Sequence, residues 1–386
     1  MQTETAGIAA EVERTSRLLE RGDLDRLIQS LRRSGHRVVG PLARDGAIVL
    51  DTIEHVTDLP EGWIDEQSAG AYTLRREGRW LFGHTVPLTS AKRFLHPPHA
   101  TLWRAKGGAH GFDVAVGPAT GPPLALLGLK PCDLAALAVH DRVLLGGPWA
   151  DPVYRDRRAG VWVIVVQCGR AGANCFCTSM GGGPRAATGF DIALTELADG
   201  DTTVFVAEPG SARGAELLAA TGARPASDAD DERAVRAGAD AAAQVTRRLD
   251  TSCLAAALAA RPEHPRWQET AARCLACGNC TQVCPTCFCV AVDDRPALDG
   301  ATADRVRRWD SCFAPDYSYI HGGHVRASVR ARYRHWLTHK LSTWHEQFGS
   351  SGCVGCGRCI AWCPAGIDLT VEAAAVAAGA GEDTRP

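Results

Sequence analysis

The chain opens on a helical pattern. Over residues 8–34, Leu18, Leu19, Leu24, Leu27, Ile28 and Leu31 recur at the spacing that lines one face of a helix. Two short β patterns follow, RVVGPL and AIVLDTI, on either side of an RDG turn. The stretch AKRFLHPPHATLW, basic, aromatic and broken by prolines, predicts a loop. LALLGL, residues 124–129, then runs straight into KPCDLAALAVHDRVLL, whose apolar spacing predicts a helix starting near Asp133. VWVIVV, residues 161–166, is almost entirely β-branched and ends at QCGR. Strands that are apolar at every position suit a sheet covered on both faces.

After residue 207 the text shifts to Ala, Asp, Arg and Gly, and ARPASDADDERA is its most flexible segment. Further on, HVRASVRARYRHWLTHKLSTWHEQF predicts one long helix. The expected fold is therefore α+β. An α/β-type domain with a buried sheet spans residues 1–207, a helical linker 208–252, a mainly helical domain 253–375, and a disordered tail 376–386.

Composition narrows the function. A net charge of −2 and a pI near 6.7 give no basic footprint for nucleic acid. No apolar run is long enough to span a membrane. The start, acidic and polar, lacks a secretory pattern, which predicts a cytoplasmic protein. Disulfides are disfavoured there, so the 16 cysteines call for metal or redox chemistry. None precedes Cys132, and all but Cys253 fall in or near compact groups.

The pattern C-x2-C-x2-C-x3-C-P occurs twice, at Cys274, Cys277, Cys280, Cys284, Pro285 and at Cys353, Cys356, Cys359, Cys363, Pro364. This is the bacterial iron–sulfur run, in which three thiolates of one tight turn reach one cluster and the fourth serves the other. Gly278 and Gly357 let the backbone bend close to inorganic sulfide. The expected ligand sets are Cys274, Cys277, Cys280 and Cys363 for one 4Fe–4S cluster, and Cys353, Cys356, Cys359 and Cys284 for a second. Zinc sites generally use two separated pairs instead. Residues 285–352 separate the copies and look helical, favouring a helical ferredoxin-like domain over a small β-rich one. Arg305, Arg307, Arg308, Arg326, Arg330, Arg332, Arg334 and Lys340 give this segment a basic excess. It suits either cations that stabilise anionic clusters or a solvated helical face. His335 and His339, at i, i+4 without an H-E-x-x-H frame, fit packing or surface roles.

A second group lies upstream. Cys132 and Cys168 each stand just past a predicted strand. If those strands are parallel neighbours, both thiols emerge at one carboxyl edge, where ligand sites collect. The loop GRAGANCFCTSMGGGP can bring Cys175 and Cys177 to the same edge, making a third 4Fe–4S site. Zinc in these four, or a set of buried free thiols, are the competing readings. Gly181, Gly182 and Gly183 give only a weak hint of a phosphate- or flavin-contacting loop, lacking the G-x-G-x-x-G frame. Cys253, Cys287, Cys289 and Cys312 have no assigned role. No triad, Walker loop or dinucleotide fingerprint is present, so the pattern points to electron carriage without substrate turnover.

These motifs carry a resemblance. It rests on KPCDLAAL, DPVYRDRR, CFCTSMGGGP with GFDIALTEL, CLACGNCTQVCPTCFC, WDSCFAPDYS, HWLTHK and CVGCGRCIAWCPAGID, and it extends over most of the chain. The chain resembles the iron–sulfur β subunit of soluble nickel–iron hydrogenases (sulfhydrogenases) and the related A subunit of anaerobic sulfite reductase. The resemblance implies a non-catalytic relay between a flavin- and NAD(P)-binding subunit and the small and large subunits of the nickel–iron module, without nucleic acid or membrane. In the sulfite reductase setting the same relay would feed a sirohaem subunit. The hydrogenase setting is preferred; a stand-alone flavin-dependent iron–sulfur oxidoreductase and an iron–sulfur sensor compete with it.

Overall fold

Strands apolar at every position need two covers, and the fold supplies both. The computed structural model describes residues 15–108, 111–117 and 121–378. The first strands are β1 (Arg17–Leu19), β2 (Arg37–Arg44), β3 (Ala47–Thr52), and the hairpin β4 (Trp63–Ser68) with β5 (Ala71–Arg76). Next come β6 (His99–Gly108), β7 (Gly111–Val116), β8 (Leu124–Leu129), β9 (Trp162–Val166), β10 (Ile192–Asp199), β11 (Thr202–Pro209) and β12 (Arg224–Pro225). Then come β13 (Val290–Pro296), β14 (Thr302–Trp309) and the short hairpin β15 (Tyr319–Ile320) with β16 (Gly323–His324).

An eight-stranded sheet runs β12-β1-β11-β10-β9-β8-β2-β3. Its centre, β2, β8, β9 and β10, is parallel, and antiparallel partners close both sides. Alternate residues of the central strands point to opposite faces. Ala125, Leu127, Ile164 and Val166 meet Leu24, Leu27, Ile28 and Leu31 of the helix Arg21–Arg33. Leu124, Leu126, Val163 and Val165 meet Leu134 and Leu137 of the helix Pro131–Leu144, with Tyr154. Each Leu, Ile or Val side chain among these, when fully buried, contributes roughly 1.5–3 kcal/mol.

Several expectations change. Leu18 and Leu19 belong to β1, and the helix begins at Arg21; Glu20 caps it in a box with Asp23, so two leucines that fit the helical spacing serve the sheet instead. The segment expected to be flexible holds β12 and the start of the helix Asp228–Ala243. There Ser227 accepts from the Asp230 amide, and the acidic first turn suits the helix dipole. The long helix splits into Val329–Thr338, a π-turn His339–Thr343, and Trp344–Phe348. AKRFLHPPHATLW includes the short helix Lys92–Leu95 and the start of β6.

Residues 285–352 are also less helical than their pattern suggested, because β13 and β14 form a hairpin there. β14 pairs with β6, and β6 with β7, giving the sheet β13-β14-β6-β7 with strands from both ends of the chain. Around the second half packs a core of Trp267, Tyr333, Trp336, Leu337, Ile360 and Leu369. The expected tail overlaps the helix Leu369–Ala377, and its residues 379–386 lie outside the described residues. Residues 8–14 of the first predicted helix do so too. No helix among the described residues is long and apolar enough to cross a membrane.

Candidate metal centres

The two cysteine runs fold alike. In each, a glycine in the left-handed region, Gly278 (φ +74°) or Gly357 (φ +75°), starts a one-turn helix, Asn279–Gln282 or Arg358–Ala361. The position two residues earlier is also left-handed, Ala276 at φ +51° and Gly355 at φ +67°. These turns aim backbone amides at sulfur. The Ala276 N–H donates to Cys274 Sγ, Gly355 N–H to Cys353 Sγ, and Ile367 N–H to Cys363 Sγ, each at 3.4 Å.

Cys274, Cys277, Cys280 and Cys363 line one cavity, closed by Phe313, Tyr333 and Trp336, with Cys359 at its inner wall. Cys277 is exposed, so this group reaches the surface. Cys353, Cys356, Cys359 and Cys284 form the next group inward, with Cys284 and Cys356 buried. Lys340 Nζ donates to Cys284 Sγ at 3.2 Å and lies 3.6 Å from Cys287 Sγ.

The upstream thiols converge. β8 and β9 are parallel neighbours, so Cys132 and Cys168 leave the sheet at one edge. The loop after Cys168 turns back through the bond from Cys175 N–H to Gly172 O (3.0 Å) and brings Cys175 and Cys177 beside them. This group adjoins the previous one, since Cys132 packs against Cys356. A surface groove walled by Cys132, Cys177 and the Gly181–Gly183 turn opens beside it.

Close backbone approach makes that junction. A Cβ at Gly355 would stand 2.6 Å from Cys177 Cα, and one at Gly357 2.3 Å from Asn174 O. The Phe176 N–H donates to Gly355 O at 2.9 Å. Beneath it, Arg358, wholly buried, pairs with Asp133 at 2.8 Å and donates to Pro87 O at 2.6 Å. Sequence reasoning passed over Arg358 and Asp133; an arginine inside an apolar cysteine run was the available signal.

Burial pushes the thiols away from ionisation: Cys168 up to about 11, Cys175 and Cys353 each up to about 12, and Cys132, Cys280 and Cys359 upward. Thiols this reluctant to ionise become thiolates only when a metal takes the place of the proton. Among the described residues no three Cys, His, Asp or Glu side chains are set to hold a single metal ion. Zinc would need its sulfurs within about 2.3 Å of one point. A sulfur-only donor set, amide donors to sulfur and buried cations fit iron–sulfur clusters.

The other sequence candidates fall elsewhere. Arg305 and Arg308 pair with Asp294 and Asp293, and Arg330 and Arg334 with Glu263, as surface ion pairs of little energetic weight. Arg307 pairs with Asp151. Arg332 and Lys340 are the members of that basic set whose charge acts on cysteines. The His335 and His339 rings stack at 5.6 Å, and His339 also meets Phe288 and Trp344. Cys253 is exposed. Hydrogen bonds to Cys312 and Tyr317 accompany Cys289, and the first holds it down to about 6.

Paired cysteine runs on a helical domain, docked at the edge of a buried sheet, define an iron–sulfur protein that carries electrons. Residues 273–367 match the family model of the 4Fe-4S dicluster domain, and the chain accordingly carries two 4Fe–4S clusters. It is 34% identical over 248 residues to sulfhydrogenase 2 subunit beta of Pyrococcus furiosus, an alignment covering 63% of this chain and 71% of that protein. The chain belongs to the sulfhydrogenase β-subunit family of iron–sulfur proteins.

Proposed function

We propose that the chain is a non-catalytic, cytoplasmic electron-transfer subunit of a soluble nickel–iron hydrogenase complex. In this reading it relays electrons between a flavin- and NAD(P)-binding subunit and the small and large subunits of the hydrogenase module. One observation carries the proposal: three groups of four cysteines adjoin in a row, the first reaching the surface at Cys277 and the last beside the groove at Cys132 and Cys177. A chain that only held a structural metal would have no use for such a row.

The assignments are Cys274, Cys277, Cys280 and Cys363 for the outer cluster, Cys284, Cys353, Cys356 and Cys359 for the central one, and Cys132, Cys168, Cys175 and Cys177 for a third. When bound, such clusters supply one-electron carriage at potentials set by charge, hydrogen bonds to sulfur and exposure. The chain's own part is to hold the thiolates, donate to their sulfurs and exclude water from the middle of the row. The relative's name favours the hydrogenase setting over sulfite reduction.

The test is iron and acid-labile sulfide counting on anaerobically reconstituted chain, with EPR after reduction. About twelve irons per chain are expected, and Cys168→Ser should lose about four while the dicluster signals persist. A count of about eight, unchanged in that variant, refutes the third centre.

A further inference from the structure

The chain has four lysines, at 92, 106, 130 and 340, among 42 basic residues. Lys92, Lys130 and Lys340 are buried, at 4%, 1% and 6% exposure. An ammonium buried without a counter-charge is costly, so each position needs a reason. Lys92 donates to the carbonyls of Thr281 and Gln282, both at 3.2 Å, and lies 4.1 Å above the Trp309 ring. Lys130 donates to Phe82 O at 3.3 Å. Lys340 differs, because it bonds sulfur. Its Nζ stands 3.2 Å from Cys284 Sγ, 3.6 Å from Cys287 Sγ, 3.1 Å from Thr286 Oγ1 and 3.3 Å from Gly352 O. All four partners are thiol, hydroxyl or carbonyl groups, and none is a carboxylate.

The surroundings hold the ammonium in place. Lys340 lies in the π-turn His339–Thr343, an irregularity of the kind that marks functional positions. The Thr286 hydroxyl donates to Gly352 O at 2.7 Å, tying the segment after Cys284 to the one before Cys353. Gly352 N–H donates to Lys340 O at 2.9 Å, so the lysine's backbone and side chain both grip the two segments that carry the central thiols. A flexible stem ending in a compact point charge reaches sulfur, hydroxyl and carbonyl partners from this one position.

We propose that Lys340 is a positioning residue that sets the reduction potential of the central cluster by donating from its ammonium to the Cys284 sulfur; the inference rests on the cluster assignment above. Adding an electron to an anionic group is hardest where water is excluded, and the central group is the most buried of the row. A cation and its hydrogen bond at a ligand sulfur offset that cost, so the middle of the row stays reducible and electrons cross it.

The test is an EPR-monitored redox titration of the reconstituted full chain, the central signal being the one lost in Cys359→Ser. Lys340→Met should keep its iron and lower that midpoint by at least a tenfold change in the reduction equilibrium, about 59 mV for one electron. Lys340→Arg, which keeps the charge, should recover most of the shift. Full iron with every midpoint unchanged in Lys340→Met overturns the inference. Should the methionine variant shed its iron, the unmutated chain decides. Labelled with 15N-lysine and reduced, it should show a nitrogen hyperfine coupling at the central signal that vanishes in Lys340→Arg, and its absence overturns the inference. A chain without acid-labile sulfide refutes the iron–sulfur assignment itself, so the two failures are distinct.

Discussion

Gly355→Ala tests the contact that joins the dicluster run to the sheet. The new Cβ would lie 2.6 Å from Cys177 Cα, Cys177 N and Phe176 O, all backbone atoms that cannot rotate away. Relief requires the 174–177 loop to retreat, which sacrifices the bond from Phe176 N–H to Gly355 O (2.9 Å). That bond is worth about 1 kcal/mol, and the left-handed φ of +67° costs an alanine roughly 1–2 kcal/mol more. The expected loss is therefore about 2–3 kcal/mol, inside the range of a mutation with a named steric cause. Ala276 supplies the control. It holds the equivalent place in the first run at φ +51°, so a side chain is tolerated there. Ala276→Gly trades relief of that strain against roughly 0.5–1 kcal/mol of added chain entropy and should be nearly neutral. The assay is iron content with thermal unfolding under anaerobic conditions. Gly355→Ala should unfold earlier and lose iron, while Ala276→Gly keeps its full complement. Full iron and an unchanged unfolding temperature in Gly355→Ala would refute the reasoning.

Two further outcomes follow from buried charge. Arg358→Met strands Asp133 in the interior and should cost about 3–5 kcal/mol by chemical denaturation, whereas Arg358→Met with Asp133→Leu should recover most of it; a double variant no better than the single one contradicts this. Burial holds His96 down to about 4 and His140 to about 3. Both lie below the ordinary value of 6.5, so their contribution is complete above pH 6.5 and is lost as pH falls toward 4 and then 3. Urea midpoints should therefore drop between pH 6.5 and 4, and His96→Asn with His140→Asn should flatten the slope; midpoints that rise on acidification would exclude the mechanism.

Local signals transferred well to the structure where one pattern had one solution. LALLGL became β8, buried throughout, and VWVIVV became β9, buried except at half-buried Trp162, because short apolar runs suit a strand covered on both faces. Leu18 and Leu19 satisfied helix and strand alike, and pairing with β11 decided between them. The β13–β14 hairpin was hidden because most of its charged residues face solvent and pair across the strands, Arg305 with Asp294 and Arg308 with Asp293, while Arg307 turns inward to Asp151. Its long-range partner β6 lies almost two hundred residues earlier. Lys340 was visible only as one cation among eight, since nothing local says which of them turns inward.

The repeated C-x2-C-x2-C-x3-C-P spacing is legible in the sequence by itself, because the reach of a cysteine triplet is a property of a single turn. The sequence also placed Cys132 and Cys168 at strand ends, where any parallel pairing would bring them together. What it could not determine was that the upstream group meets the central one. That depends on Gly355 and Gly357 lying against the backbone of Cys177 and Asn174, far away in the chain, and on Arg358 reaching Asp133. Such contacts arise between segments whose patterns carry no trace of each other, so only the tertiary structure turns three groups of cysteines into a row.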